Sequence, residues 1–151
     1  MRKDEFVMRG RTDSTSGSNT EVLNFSGFKP GYAYRLVEFS LYPMTPHTGG
    51  KTLVATIVAG KTAMDPQIIN YNDPSLIAVA LESFNCTHND GDIQKTVIDD
   101  TYLITQNLIL MVKDTASDEP VNWQCKFQGV KLSKSQEAVT NYKQFVISYN
   151  S

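Results

Sequence analysis

The feature of this sequence that most constrains its fold is a succession of short segments in which apolar residues alternate with polar ones or follow one another directly. About eight such segments occur from residue 21 onward, each bounded by glycine, proline, asparagine or aspartate. Alternation places side chains on the two faces of a strand, and the bounding residues are those that end strands and form turns. The pattern predicts an all-β fold, an antiparallel two-sheet sandwich of jelly-roll or Greek-key type.

Residues 122–132 form the clearest predicted strand. Their first apolar residues alternate, whereas those after Gly129 fall one position out of phase. An inserted residue changes the phase of a strand in this way, so a β-bulge is predicted at Gly129. In residues 32–42 the alternation is continuous, and Val37 is expected on the same face as Phe39.

The rest of the chain divides into shorter predicted strands and one helix. Residues 133–142 have apolar positions at helical spacing and a Ser–Gln pair that can form a capping box, so one short helix is predicted near the C-terminus. The remaining strands are predicted at residues 21–25, 52–59, 76–84, 93–98, 102–105, 108–113 and 145–149.

The charge balance disfavours two classes of partner. Fourteen lysine and arginine residues against sixteen aspartate and glutamate residues give a formal net charge of −2, and the isoelectric point is about 5.6. Nucleic-acid binding needs a basic excess, so no direct nucleic-acid partner is expected. The longest aliphatic run, residues 108–112, is far shorter than the roughly 20 residues of a membrane-spanning helix, so no membrane partner is expected either.

The cysteines are predicted to have a structural role. The first residues contain no apolar segment of the secretory type, so synthesis in the reducing cytoplasm is expected. Cys86 and Cys125 are therefore predicted to be free thiols in the core. With no CxxC pair and no set of four ligands, no metal site is expected.

The first twenty residues differ in composition from the rest. Residues 12–20 contain only polar side chains and glycine, so they are predicted to be a flexible connector between an arm, residues 1–11, and the sandwich domain, residues 21–151. The arm is basic and too short to fold alone, so it either pairs with a strand of the body or docks on another subunit. Its predicted partner-binding residues are Arg2, Lys3, Phe6, Met8, Arg9 and Arg11.

Residues 49–52, Gly-Gly-Lys-Thr, match the end of a phosphate-binding loop. That motif requires a glycine where Thr45 stands and a helix where Leu53 begins a predicted strand, so a turn between strands is predicted instead.

The acidic residues give no catalytic pattern. His88 precedes Asp90 and Asp92, but the calcium-loop ligand positions there are occupied by the wrong side chains, which leaves only adventitious calcium open. Asp99-Asp100 are neighbours whose side chains would point to opposite faces of a strand. No catalytic, cofactor-binding or metal residue is predicted, and the protein is predicted not to be an enzyme.

Aromatic residues are the remaining candidates for recognition. Trp123 has the same parity as Cys125 and Phe127 and is predicted to lie in the core. Tyr71 lies in the long segment 61–74, so it is predicted to be exposed and to bind a partner. A second interpretation is that Tyr32, Tyr34, Tyr42 and Tyr71, with Trp123, form a sugar-stacking platform or an interface hot spot.

Two phrases and the order of features carry a resemblance. The phrases are residues 22–32, Val-Leu-Asn-Phe-Ser-Gly-Phe-Lys-Pro-Gly-Tyr, and residues 137–145, Glu-Ala-Val-Thr-Asn-Tyr-Lys-Gln-Phe. With the charged arm, the Ser/Thr/Gly connector and the sandwich body, the chain resembles small β-sandwich virion proteins of tailed, especially marine, bacteriophages. The resemblance implies a non-enzymatic part of the particle that is present in many copies, and it carries over no catalytic residue or cofactor.

The leading functional hypothesis is a capsid decoration or cement protein in the virion, made in the host cytoplasm. It would bind the major capsid protein or other virion proteins and neighbouring copies of itself as a homo-oligomer, with the arm ordering on contact. The first alternative is a carbohydrate- or receptor-binding sandwich module of a phage tail. The second is a tail-tube or connector subunit.

Overall fold

The computed structural model describes residues 5–13, 19–25, 31–45, 50–60, 62–84, 93–115 and 119–133. All regular elements among these residues are β-strands. The predicted helix at 133–142 lies outside them apart from its first residue, and the predicted strand at 145–149 lies wholly outside them. The strands are β1 (Glu5–Arg11), β2 (Asn19–Leu23), β3 (Tyr32–Pro43), β4 (Lys51–Ala59), β5 (Leu76–Phe84), β6 (Ile93–Ile98), β7 (Leu108–Asp114) and β8 (Val121–Lys131).

The strands form two antiparallel sheets. The three-stranded sheet has the order β1-β8-β3, and the five-stranded sheet has the order β2-β7-β4-β5-β6. The first four strands alternate between the sheets, and the chain then returns so that β7 lies between β2 and β4 and β8 lies between β1 and β3. These nested Greek-key connections define a jelly roll, which confirms the predicted fold class.

Strand β6 makes the two sheets unequal. It pairs with β5 across six positions, from Ala78 opposite Ile98 to Ser83 opposite Ile93. On the side of β3 away from β8, the described residues form one bridge, in which Tyr34 and Ile104 exchange backbone hydrogen bonds of 2.9 and 2.6 Å. The predicted strand at residues 102–105 is reduced to this bridge.

The core lies between the sheets. Alternate residues of β7 are buried. In β4, residues 55–59 are all buried, as expected from a segment that is apolar on nearly both faces. The three-stranded sheet contributes the buried residues Ala33, Leu36, Phe39, Leu41, Val121, Trp123, Cys125 and Phe127. The five-stranded sheet contributes Leu23, Leu53, Ala55, Ile57, Ala78, Ala80, Leu108, Leu110 and Val112.

The bulge in the three-stranded sheet lies on β3 and not on β8, so the prediction at Gly129 is wrong. Gly129 pairs directly with Tyr34, and the register shifts instead between Leu36 and Glu38. The extra residue, Val37, lies outside the core, whereas Leu36 is fully buried. Because the bulge is a property of the pairing of two strands, the phase change within residues 122–132 did not locate it.

Residues 5–11, which lie in the predicted arm, form strand β1 of the sandwich. Strand β1 pairs with β8 from Glu5 opposite Gln128 to Arg11 opposite Asn122. Thr12 extends the contact, because its backbone N–H donates to the Val121 carbonyl over 3.0 Å. Of the two arrangements that the sequence left open, the structure shows pairing with a body strand. Strand β2 begins before residue 21, so the sandwich does not start at that position.

Candidate binding surfaces

The predicted partner-binding residues of the N-terminal segment divide between the two faces of β1. Phe6 and Met8 are partly buried and pack against the core from the inner face of the sheet. Their alternation with Val7 and Arg9 makes this necessary once β1 pairs with β8. Arg9 and Arg11 are exposed. Arg2 and Lys3 lie outside the described residues.

An aromatic cluster fixes β1 to the sandwich. The ring of Phe6 stacks on Phe127 with a centroid distance of 5.4 Å and meets Tyr34 edge-on at 5.3 Å. Phe25, which follows β2, meets Phe127 edge-on at 5.0 Å. Both geometries are favourable for aromatic pairs. The cluster therefore ties together β1, β3, β8 and the end of β2.

The outer face of the three-stranded sheet has two halves with different chemistry. In the half nearer Glu5, side chains satisfy one another: Lys126 Nζ lies 3.3 Å from Glu5 Oε2, and Arg35 Nε donates to Gln128 Oε1 over 2.8 Å. Charges and amides in this half are thus paired within the protein.

The other half of this face carries two rows of polar side chains, which we call the arginine face. The strand register places Arg11, Asn122 and Tyr42 in one row. Arg9, Gln124 and Ser40 form the next row. The side chains of the six have no hydrogen-bond or ion-pair partner among the described residues, and Tyr42 is 59% exposed. Part of the arginine face forms an open groove of about 550 Å³, lined by Arg9, Gly10, Ser40, Leu41, Tyr42, Asn122, Trp123 and Gln124.

Trp123 lies beneath this groove, as predicted for a core residue, and is 9% exposed. Gly10 stands opposite it on β1. A Cβ at position 10 would lie 3.0 Å from Trp123 Cζ2, so glycine is what allows the indole to fit under the strand.

On the side of β5 and β6, the outer face of the five-stranded sheet exposes the apolar residues Leu81, Ile93 and Val97, with Lys95 between the last two. Segment 62–75 crosses the opposite side and is anchored there: Thr56 Oγ1 donates to the Met64 carbonyl over 2.6 Å, and Lys113 Nζ donates to Gln67 Oε1 over 2.7 Å. The exposed apolar side chains of this segment and of β5 and β6, which we call the apolar face, are Ile68, Ile69, Tyr71, Leu81, Ile93 and Val97.

Tyr71 is 67% exposed, which confirms the predicted exposure, while its role in partner binding stays a prediction. It lines a shallow depression of about 180 Å³ together with Val79, Val97 and Asp99. Asp99 is otherwise a turn residue, because its Oδ1 accepts hydrogen bonds from Thr101 N and Oγ1 over 3.1 and 2.6 Å. The exposed residues Leu81 and Val97 flank this depression on neighbouring strands.

Sequence reasoning missed four ionisable side chains at one end of the sandwich. Lys51, Glu82 and Asp114 are at most 1% exposed. Lys51 Nζ lies 2.8 Å from Oε2 of Glu119, which is partly exposed. The sequence did indicate the burial of Lys51, because this residue has the same parity as the buried residues of β4. The predicted strand there is confirmed. The buried ammonium is compensated by a carboxylate of the protein.

The carboxylate of Glu82 is buried and only partly hydrogen-bonded. Its Oε1 accepts hydrogen bonds from Leu41 N over 3.4 Å and from Gln94 Nε2 over 3.1 Å. Its Oε2 is buried without a partner among the described residues. Burial raises the pKa of Glu82 because desolvation outweighs these two hydrogen bonds.

Stability is therefore expected to fall as pH rises above about 4.5, the usual pKa of this acid. Below that pH Glu82 is protonated in both the folded and unfolded states. Above it the unfolded state ionises first, and the loss is complete once pH passes the raised pKa of the folded state. In thermal melts from pH 4 to 8, the Glu82→Gln variant should lack this decline. If the melting temperatures of the variant and the native protein changed equally with pH, the raised pKa would not belong to Glu82.

Glu119 supplies the control for that experiment. Hydrogen bonds from Lys51 and then from Thr45 lower the pKa of Glu119, although partial desolvation opposes them. Its contribution is present above the usual pKa and is lost as pH falls through the lowered value. The Glu119→Gln variant should thus differ from the native protein in its response at the acid end, and its decline above pH 4.5 should remain.

Cys125 is buried and not in a disulfide, as predicted. Burial raises the pKa of its thiol to about 12, so the thiol is protonated and unreactive at neutral pH. Cys86, His88, Asp90 and Asp92 lie outside the described residues. Within the described ranges no group of three or more metal-ligating side chains occurs. The same ranges contain no helix long and apolar enough to cross a membrane.

Comparison with known proteins finds a likeness in structure and no match in sequence. No protein-family model matches the chain, and no curated protein matches it. Among solved structures, the chain is similar to VP1 of the Trichodysplasia spinulosa-associated polyomavirus in complex with 3'-sialyllactose. The two share 6% sequence identity over 85% of this chain and 94% of that chain, with a TM-score of 0.43. The jelly-roll assignment rests on the strand order and register and not on this likeness.

Proposed function

We propose that this protein is a non-enzymatic structural protein of a virus particle, a capsid decoration or cement protein that binds the major capsid protein and neighbouring copies of itself. The observation that carries the proposal is the apolar face. The resemblance of residues 22–32 and 137–145 to phage virion proteins supports the class of particle, and the apolar face is the surface that we propose for attachment.

The apolar face has the composition of an interface. Ile68, Tyr71 and Ile93 are each at least half exposed. Tyr71 lines one depression with Val97, and Leu81 lies on the neighbouring strand. Contiguous apolar surface in water is unfavourable by about 25 cal/mol per Å², a cost removed when another protein covers it. Ile93 and Val97, which are β-branched residues on strand β6, also lose little conformational freedom on binding.

Co-sedimentation with empty capsids of the virus that encodes the chain tests the proposal. The Val97→Lys variant places a charge within the apolar face and should bind at least about tenfold more weakly, because an unpaired interface charge costs more than about 1.4 kcal/mol.

The matched control is Val7→Lys. Val7 is 50% exposed and Val97 is 41% exposed, and both lie on edge strands, but in different sheets. The control should bind capsids within about twofold of the native protein. Failure of the native protein to bind capsids, or equal weakening by both variants, would rule out attachment through the apolar face.

A carbohydrate- or receptor-binding role is the second candidate, and the arginine face favours it. This surface lies on the opposite sheet, so a glycan and a capsid could be bound at the same time.

A further inference from the structure

The two halves of the three-stranded sheet's outer face differ in whether their cations have partners within the protein. One half pairs its cations internally, through Lys126 with Glu5 and Arg35 with Gln128. On the arginine face, Arg9 and Arg11 have no acidic or amide partner among the described residues. Two cations side by side without a counter-charge repel one another, so an anion at this position would be stabilised.

The groups around the two arginines narrow the chemistry of that anion. Asn122 and Gln124 stand between the arginines and the residues of β3, and each amide offers both donors and an acceptor. Tyr42 presents an exposed ring at the far side of the row. An arginine can bind a carboxylate through two parallel hydrogen bonds, planar amides bind hydroxyl groups, and an aromatic ring packs against the apolar face of a sugar.

The dimensions of the arginine face limit the size of the ligand that it can bind. With strands about 4.8 Å apart and alternate residues about 7 Å apart, the two rows cover roughly 10 by 7 Å. The groove of about 550 Å³ lies within the range of small-molecule sites, roughly 300–1,000 Å³, and is larger than an isolated carboxylate needs. A nucleic-acid strand would need more cations than these two, on a protein whose net charge is −2.

We propose that the arginine face binds an acidic oligosaccharide, with Arg9 and Arg11 receiving a uronate carboxylate, Asn122 and Gln124 binding ring hydroxyls, and Tyr42 packing against a sugar ring. This site does not depend on capsid attachment, because it lies on the other sheet from the apolar face.

The protein contains its own reporter for this site. Trp123 is the single tryptophan in the chain and lies beneath the groove. Titration of the full-length protein with trigalacturonate, followed by tryptophan fluorescence and checked by calorimetry at low salt, should give saturable binding. Maltotriose, a neutral oligosaccharide of the same length, should bind at least fivefold more weakly, and sodium acetate should not compete at equal carboxylate concentration.

Three variants separate site binding from general charge attraction. Arg9→Gln combined with Arg11→Gln should weaken trigalacturonate binding at least tenfold and bring it to the level of maltotriose. Tyr42→Ala should weaken both sugars. Arg35→Gln removes one positive charge from the internally paired half of the same face, and it should change affinity less than twofold.

Two results would overturn the proposal. One is the absence of saturable trigalacturonate binding by the native protein. The other is equal weakening by Arg35→Gln and by the Arg9/Arg11 double variant, which would show diffuse attraction to a basic surface. Neither result bears on capsid binding through Val97, so the two proposals fail separately.

Discussion

Deletion of residues 1–11 is expected to lower the melting temperature of the protein by on the order of 10–20 °C. The deletion removes strand β1, and with it the side chains of Phe6 and Met8 that pack on the core. It also leaves β8 with an unpaired edge along seven residues. A fully buried phenylalanine or methionine contributes about 2–5 kcal/mol, so these two partly buried side chains together account for about 5 kcal/mol.

Thermal and urea unfolding measure this effect, and a shorter deletion is its control. Removal of residues 1–4 leaves every described contact of β1 in place, so the melting temperature should change by less than about 2 °C. If the longer deletion also left the melting temperature within that margin, β1 would not contribute to the sandwich, and the first residues would be available as a tether to another subunit.

Replacement of Phe127 by alanine is expected to destabilise the protein by about 3–5 kcal/mol. Phe127 is fully buried at the centre of the aromatic cluster, between Phe6 and Phe25. The smaller side chain would leave a cavity shared by both sheets, and the pairing of β1 with β8 would lose its aromatic anchor. Urea denaturation should show the loss as a lower midpoint with little change in slope.

Leu81→Ala is the control for Phe127→Ala. Leu81 is also a large apolar residue on a strand, but it is 39% exposed on the apolar face. Its replacement should change the free energy of unfolding by less than about 1 kcal/mol. An effect of Leu81→Ala as large as that of Phe127→Ala would show that the apolar face contributes to folding, which would weaken the case for an interface there.

Much of the strand content was predictable because local patterns determine it. The predicted strands at residues 76–84 and 93–98 have the observed bounds, and most others differ from the observed strands by one or two residues at their ends. Turn-forming residues and alternating apolar residues act over a few positions, so a single segment contains the information.

The binding surfaces were less predictable because they combine distant segments. Arg9 was singled out from its basic segment, but Asn122 and Gln124 were noted only as strand residues, and their position beside Arg9 depends on the pairing of β1 with β8. Tyr71 was recognised as exposed because its segment is long and rich in turn residues. Its neighbours Leu81 and Val97 gave no such signal, since apolar strand residues are usually buried.

By itself, the sequence determined that this chain is an all-β sandwich with Trp123 and Cys125 inside it, because alternation decides the face of each side chain within one strand. Only the tertiary structure decided which strands are neighbours. It placed β1 beside β8, put the bulge at Val37, buried Lys51 beside Glu119, and left the side chain of Arg9 without a partner among the described residues. The physical reason is that pairing, burial and charge compensation depend on residues far apart in the chain, and a periodicity of two does not encode the partner across the sheet.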